Sequence, residues 1–174
     1  KTGRVELETL ATYLDEDVAL VSVMTGNNEI GTIQPIEEIT KMAHAVGAFM
    51  HTDATQAIGK IPVLMKTWGV DYMSLSGHKF YGPKGIGVLA VKKKVPFEAF
   101  FHGGHQEGGK RAGTYNTPAI VGIGVAAELA LQDLETERAR LWHLREMLRK
   151  GIEERIPNVV VNGNQEHCLP GTLD

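Results

Sequence analysis

Residues 71–91 hold an amine, a hydroxyl and an imidazole between two apolar runs. The first run, Val70 to Leu75, ends in Ser76-Gly77-His78-Lys79. A Gly/Pro turn follows from Gly82 to Gly85, and then a second run from Ile86 to Val91. The pattern predicts two strands with Lys79 at the mouth between them. Taken alone, Lys79 also suits a solvated loop, where most lysines lie. Other groups give it a context: Asp53 and Gln56 in His51-Thr52-Asp53-Ala54-Thr55-Gln56, and Asn27-Asn28-Glu29 in a glycine-bracketed loop. An amine and a carboxylate at neighbouring strand ends, with hydroxyl and imidazole beside the amine, are the set that pyridoxal phosphate needs. A lysine condenses with the aldehyde, and a carboxylate keeps the pyridine nitrogen protonated so that the ring draws electrons. Hydroxyls, imidazole and backbone N–H groups hold the phosphate, helped by helix N-termini.

Other motif matches fail on context. Gly85-Ile86-Gly87-Val88-Leu89-Ala90 has the letters of a dinucleotide fingerprint but enters a strand instead of a helix. Gly77 to Gly82 has phosphate-loop spacing, yet Pro83-Lys84 stands where Lys-Ser/Thr is required. His51 with Asp53, and His102 with His105, lack the helical or Cys/His framework of a metal site. Cys168 lies in a turn beyond the last helical pattern, away from these groups.

The elements that must position the groups follow from periodicity. Leu7, Leu10 and Leu14 allow a short amphipathic helix, and Val18 to Met24 reads as a strand buried on both faces. Pro35 opens a helix with Ile36, Ile39, Met42, Ala43 and Val46 on one face, Glu37 and Glu38 in its first turn and Gly47 as its stop. Ala48 to Thr52 is a second strand ending at Asp53, Ala54 to Leu64 a link, and Val70 to Leu75 a third strand. Crossovers make these three strands parallel. The connection over 76–85 is too short for one, so Ile86 to Val91 runs antiparallel. Polar residues then gather at the C-terminal edge of the sheet, where open α/β sheets bind ligands. Residues 95–117 form a long irregular loop rich in glycine and aromatics. Pro118 starts a long helix to about Ile156, with Leu134, Leu141, Leu144, Leu148 and Ile152 on one face. Gly122 and Gly124 imply close packing of its first turns, and Val159-Val160-Val161 reads as a strand opening a further domain.

The 174 residues carry a net charge of −3, with 43% hydrophobic and 22% charged residues. The balance suits a soluble globular protein and shows no nucleic-acid footprint; Lys92-Lys93-Lys94 reads as a solvated edge. No run reaches the length of a membrane span. The single cysteine excludes an internal disulfide framework and fits a reducing, cytoplasmic setting. Twenty glycines exceed the roughly 12 of ordinary usage, and they cluster at 77–87 and 103–113. A start without Met and an end in Pro170-Gly171-Thr172-Leu173-Asp174 read as a fragment of a longer polypeptide.

Four motifs, in order, resemble those of the cysteine desulfurases serving nitrogenase and general iron–sulfur assembly. They are Asn27-Asn28-Glu29-Ile30-Gly31, His51 to Gln56, Ser76 to Gly85, and Arg111-Ala112-Gly113-Thr114. The resemblance covers nearly the whole chain. It implies a homodimeric pyridoxal-phosphate enzyme of the aminotransferase-like α/β fold, a transferase that takes sulfur from L-cysteine, gives L-alanine and holds an enzyme persulfide for a sulfur-acceptor scaffold protein. It implies a mostly parallel sheet of the cofactor-binding large domain over residues 1–130. Residues 131–174 would be a linking helix and the start of a smaller α+β domain. By the same resemblance Lys79 attaches the cofactor and moves the proton at the substrate α-carbon. Asp53 pairs with the pyridine nitrogen, Gln56 bonds the ring oxygen, and Asn28 lies over the cofactor. Ser76 and His78 hold phosphate, Gly77 permits the close approach, and Thr114 reaches the phosphate of the partner subunit's cofactor.

The departures limit what the chain carries. The family's persulfide cysteine sits in a Ser/Gly-rich loop downstream of Asp174, so Cys168 is not given that role. The upstream phosphate loop, the histidine that stacks on the ring and the C-terminal arginine that clamps the substrate carboxylate are absent from these residues. Val63-Leu64-Met65-Lys66 is looser than the family's usual pattern. A selenocysteine lyase or another lyase of the same fold shares the cofactor residues, and a truncated dimerisation module remains a non-enzymatic alternative.

Overall fold

The computed structural model describes residues 2–174. A four-stranded sheet forms its centre, in the order β1-β2-β3-β4, with β1 Leu20–Met24, β2 Phe49–Asp53, β3 Tyr72–Ser76 and β4 Gly87–Val91. β1, β2 and β3 pair in parallel, and β4 lies antiparallel to β3, as the crossover lengths predict. The helices are α1 Leu7–Ala11, α2 Ile36–Ala45, α3 Met65–Trp68, α4 Thr117–Gln132 and α5 Leu134–Arg155. Strand ends differ from the periodicity reading by one or two residues: Ala48, Val70 and Asp71 are buried but precede their strands.

Helix α2 shows how the sequence builds the core. Pro35 stands at its N-cap, Glu37 and Glu38 meet the positive end of the helix dipole, and Gly47 (φ 86°) turns the chain back toward β2. Ile36, Ile39, Thr40 and Ala43 are buried. They pack with Val21, Met50, Val70 and Met73, and α1 and α3 add Leu7, Leu10, Met65 and Trp68 around the same cluster. Burying each large aliphatic side chain contributes about 1.5–3 kcal/mol.

All of this packing lies on one face of the sheet. Against the expected two-faced burial of the first strand, the described residues cover one face of it: Val21 is buried, while Leu20, Ser22 and Met24 are exposed. Three further expectations are corrected. The single long helix is two helices bent by 72°, because Asp133 (φ −96°, ψ 0°) leaves helical geometry between them, without a side-chain cap hydrogen bond. The apolar side chains of α5 do not form one buried stripe, since Leu144 and Leu148 are exposed. Residues 159–161 are irregular instead of a strand, and the chain after them folds back over the loop that follows β1. Ile33 N–H donates to His167 O at 2.8 Å, and Leu169 N–H donates to Gly31 O at 2.8 Å. Arg145 of α5 holds this segment through Nε to Thr172 O at 2.6 Å and Nη2 to Gln165 Oε1 at 2.5 Å. Among the described residues, no single helix is long and apolar enough to cross a membrane.

Asp71 closes the sheet at the end opposite the polar edge. Its buried carboxylate accepts the Met50 N–H at 2.9 Å and faces His44 Nε2 at 2.7 Å, with Lys92 Nζ at 3.4 Å. One side chain thus ties α2, β2 and the chain after β4. Burial alone would raise its pKa, but His44, the Met50 N–H and Lys92 together hold it below the ordinary aspartate value. A carboxyl lowered by folding contributes stability above its unfolded value, about 3.9, and loses it as pH falls through the lower folded value. In the full-length protein, Asp71→Ala is expected to cost about 3 kcal/mol at pH 7. In denaturant melts across pH, the gap to wild type should narrow as pH falls below that aspartate value. A gap that does not change with pH would contradict the assignment.

Candidate active site

The register of β2 decides what meets at the polar edge. Phe49, His51 and Asp53 alternate with the buried Met50 and Thr52, so the first three stand on the face away from the core. Asp53 lies opposite Met24 on β1 and Ser74 on β3, and Ser76 follows two residues later on the same face. Asp53 and Ser76 therefore both stand at strand C-termini on the open face. Backbone bonds continue the pairing past β2: Thr25 N–H donates to Asp53 O at 2.8 Å and Ala54 N–H to Ser74 O at 2.9 Å. The buried hydroxyls of Thr25 and Thr52 meet beneath at 2.8 Å. Asp53 Oδ1 accepts the Thr55 N–H at 2.8 Å, which sets the carboxylate at the start of the following turn.

Beneath Asp53 on the same face, His51 bridges three strands. Nδ1 lies 2.7 Å from Ser22 Oγ and Nε2 lies 3.2 Å from Ser74 Oγ. Burial pushes the His51 pKa down, with Asp53 pulling weakly the other way. Both serines are unremarkable in sequence and gain meaning only from their register.

A 3₁₀ turn, Gly77–Phe80, follows β3. Ser76 Oγ and His78 Nδ1 meet at 2.9 Å, so the predicted phosphate pair is already joined. Phe80 is buried and anchors the turn, while Lys79 is exposed. Tyr81 has φ 69°, an uncommon backbone state for a bulky residue, and Gly82 N–H closes the turn on Gly77 O at 2.9 Å. At Gly77 a Cβ would stand 2.9 Å from Ile86 Cγ2, 3.1 Å from Pro83 O and 3.2 Å from Ile123 Cδ1. The space that this glycine leaves is occupied by protein. Helix α4 packs on the turn in the same way, since a Cβ on Gly122 would lie 2.5 Å from Pro83 Cγ. Gly124, expected to share that role, faces open space.

Lys79 lines a cavity of about 320 Å³ with Lys60, Tyr81, Leu129 and Glu137. Asp53, Gln56, Ser76 and His78 do not line this cavity; Lys60, which does, donates from Nζ to Gln56 Oε1 at 2.9 Å. Burial, and then the charge of Lys79, push the Lys60 pKa down. Asn28 is exposed in the loop after β1. That loop is shaped by Asn27 Oδ1, which accepts the N–H groups of Glu29 and Ile30 at 2.9 and 3.0 Å. Thr114 stands apart: with Arg111 and Tyr115 it lines a second cavity of about 780 Å³ between β4 and residues 97–123. Cys168 is buried, and burial pushes its thiol pKa up despite the opposing charge of Arg145. It is bridged to Thr32 and does not line the cavity of Lys79.

The donor set suits pyridoxal phosphate. Carboxylate, hydroxyl, imidazole and primary amine stand at the ends of adjacent parallel strands, and a carboxamide bonded to the lysine cavity lies one turn beyond. Each of these groups follows a strand whose register is fixed on both sides.

The aminotransferase class-V family profile matches residues 1–174. A cysteine desulfurase of Sinorhizobium fredii is 51% identical over 170 residues, covering 98% of this chain and 44% of the relative. Cysteine desulfurase NifS of Azotobacter vinelandii is 47% identical over 174 residues, covering 100% of this chain and 43% of the relative. A solved NifS-like protein superposes with a TM-score of 0.94 at 42% identity, over 99% of this chain and 47% of its own. The aminotransferase-like α/β fold expected from the motifs is thereby borne out. The chain spans less than half the length of the relatives it matches.

The packing around Gly77 yields a direct check. Gly77→Ala in the full-length protein is expected to lose about 1–3 kcal/mol in a denaturant melt, because Ile86, the Pro83 carbonyl and Ile123 must all give way. Gly124→Ala, which meets nothing among the described residues, should stabilise α4 slightly. Equal effects at the two glycines would contradict the packing described.

Proposed function

The chain belongs to the aminotransferase class-V family, and from that premise we propose that the full protein is a pyridoxal-phosphate-dependent cysteine desulfurase. It removes sulfur from L-cysteine, releases L-alanine and carries the sulfur as an enzyme persulfide for iron–sulfur cluster assembly. The observation that carries this reading is the turn at the end of β3. There Lys79 follows a joined Ser76–His78 pair, one strand away from Asp53. Similarity to cysteine desulfurases across the whole chain supports it.

Bound pyridoxal phosphate supplies an electron sink at the substrate α-carbon. The chain's own residues do the rest. Lys79 Nζ attaches the cofactor and moves the proton at the substrate α-carbon. The Asp53 carboxylate holds the proton at the ring nitrogen, and Gln56 donates to the ring oxygen. Ser76 and His78 bind the phosphate, with Gly77 letting the turn close beneath them. Asn28 lies over the cofactor. Thr114 serves the phosphate of the partner subunit's cofactor in a homodimer.

Residues 1–130 belong in this reading to the cofactor-binding large domain. Residues 131–174 form the helix that leads away and the start of a smaller domain, with the bend at Asp133 between them. The sulfur-bearing cysteine is a residue other than Cys168, whose buried thiol is held protonated. A sulfur-acceptor protein completes the pathway, and the cytoplasm suits an enzyme that works through a free thiol.

The full-length protein with pyridoxal phosphate is expected to release alanine from L-cysteine. Lys79→Ala should lower the rate by about a thousandfold or more, and Asp53→Ala should bind the cofactor yet lose most turnover. Alanine release from selenocysteine alone would assign the protein to selenocysteine lyases instead. Undiminished turnover in Lys79→Ala would overturn the reading.

A further inference from the structure

A hydrogen bond between Lys60 and Gln56 links the turn after β2 to the cavity of Lys79. Lys60 Nζ donates to Gln56 Oε1 at 2.9 Å, and both residues are half-buried. An ammonium group can only donate, so the carboxamide atom that faces it is the oxygen, and the Gln56 NH₂ points elsewhere. Lys60 and Lys79 share the lining of the 320 Å³ cavity with Asp133, Glu137 and Tyr81. Glu137 is engaged by Arg140, with Nε at 2.7 Å and Nη2 at 2.6 Å. Lys60 is therefore half-buried beside a second lysine and bonded to a neutral amide. Burial and like charge both disfavour that arrangement.

We propose that Lys60 is a positioning residue: by occupying Gln56 Oε1 it fixes the carboxamide so that its NH₂ donates to the ring oxygen of the bound cofactor. The inference rests on the cofactor reading of Gln56. A flipped carboxamide would set acceptor against acceptor and leave the ring oxygen unpaired. Lys60 prevents the flip, because flipping would aim two N–H donors at an ammonium. A hydrogen bond donated to the ring oxygen weakens that oxygen's hold on a proton at Lys79 Nζ, and the nearby Lys60 cation acts in the same direction. Removing Lys60 must therefore make the proton at Lys79 Nζ harder to lose.

The test is a pH titration of the visible absorbance of the full-length protein loaded with pyridoxal phosphate. Lys60→Met is expected to raise the midpoint by about half a unit to one unit. Lys60→Arg, which keeps donor and charge, should restore the wild-type midpoint. In a Gln56→Ala background the shift caused by Lys60→Met should fall by about half or more, because the carboxamide through which Lys60 acts is gone. Should Lys60→Met fail to fold, Lys60→Leu, which also lacks a donor, is read by the same criteria. A wild-type midpoint in the lysine variant, or an undiminished shift without Gln56, overturns the inference and leaves the cofactor reading standing. No visible band in the wild-type protein overturns the cofactor reading and the inference with it.

Discussion

Strand β2 is bonded on both sides, and its register places the central candidate residues. Pairing with β1 sets Asp53 beside Met24, and pairing with β3 sets it beside Ser74. A slip of one residue would turn Asp53 into the core and Thr52 out of it. Asp71 opposes such a slip at one end of the sheet by holding the Met50 N–H. At the other end the Thr25–Thr52 hydroxyl contact and the Thr25 N–H to Asp53 O bond oppose it. The Asp53 carboxylate and the Ser76 hydroxyl are thus delivered to one edge by backbone pairing.

The turn after β3 adds the reactive group to that frame. Phe80 is buried and Lys79 is not, so the turn presents the amine while anchoring itself. Gly77 and Gly122 let Ile86, Pro83 and α4 close against the turn from behind. What the glycines serve here is rigidity of the support. The electrostatic setting is made from the other side, where Lys60 reaches the cavity of Lys79 from the turn that follows Asp53.

Much of this was legible in the sequence. Apolar runs of strand length, the proline and glycine around α2, and the short 76–85 connection were enough for three parallel strands and one antiparallel. Polar residues at strand ends pointed to the edge. What escaped was set by contacts distant in sequence. Ser22 and Ser74 join His51 only through register, and Lys60 shares a cavity with Lys79 only through the fold. Asp133, at φ −96° and ψ 0°, breaks a helical pattern that periodicity carried across it. Val159 to Val161 had strand composition but are irregular among the described residues, and the segment after them packs on the Gly31–Gln34 loop. The open face of the sheet likewise lay beyond periodicity, since an apolar run does not say which of its faces is covered.

Attachment of the cofactor at Lys79 is the central claim, because the roles of Asp53, Gln56, Ser76 and His78 are all defined relative to that nitrogen. Borohydride reduction of the full-length protein loaded with pyridoxal phosphate, followed by peptide mass mapping, tests it most directly. The account predicts a pyridoxyl group fixed on the peptide that carries Lys79. Its recovery on Lys60 or another lysine, or on no peptide, would contradict the account.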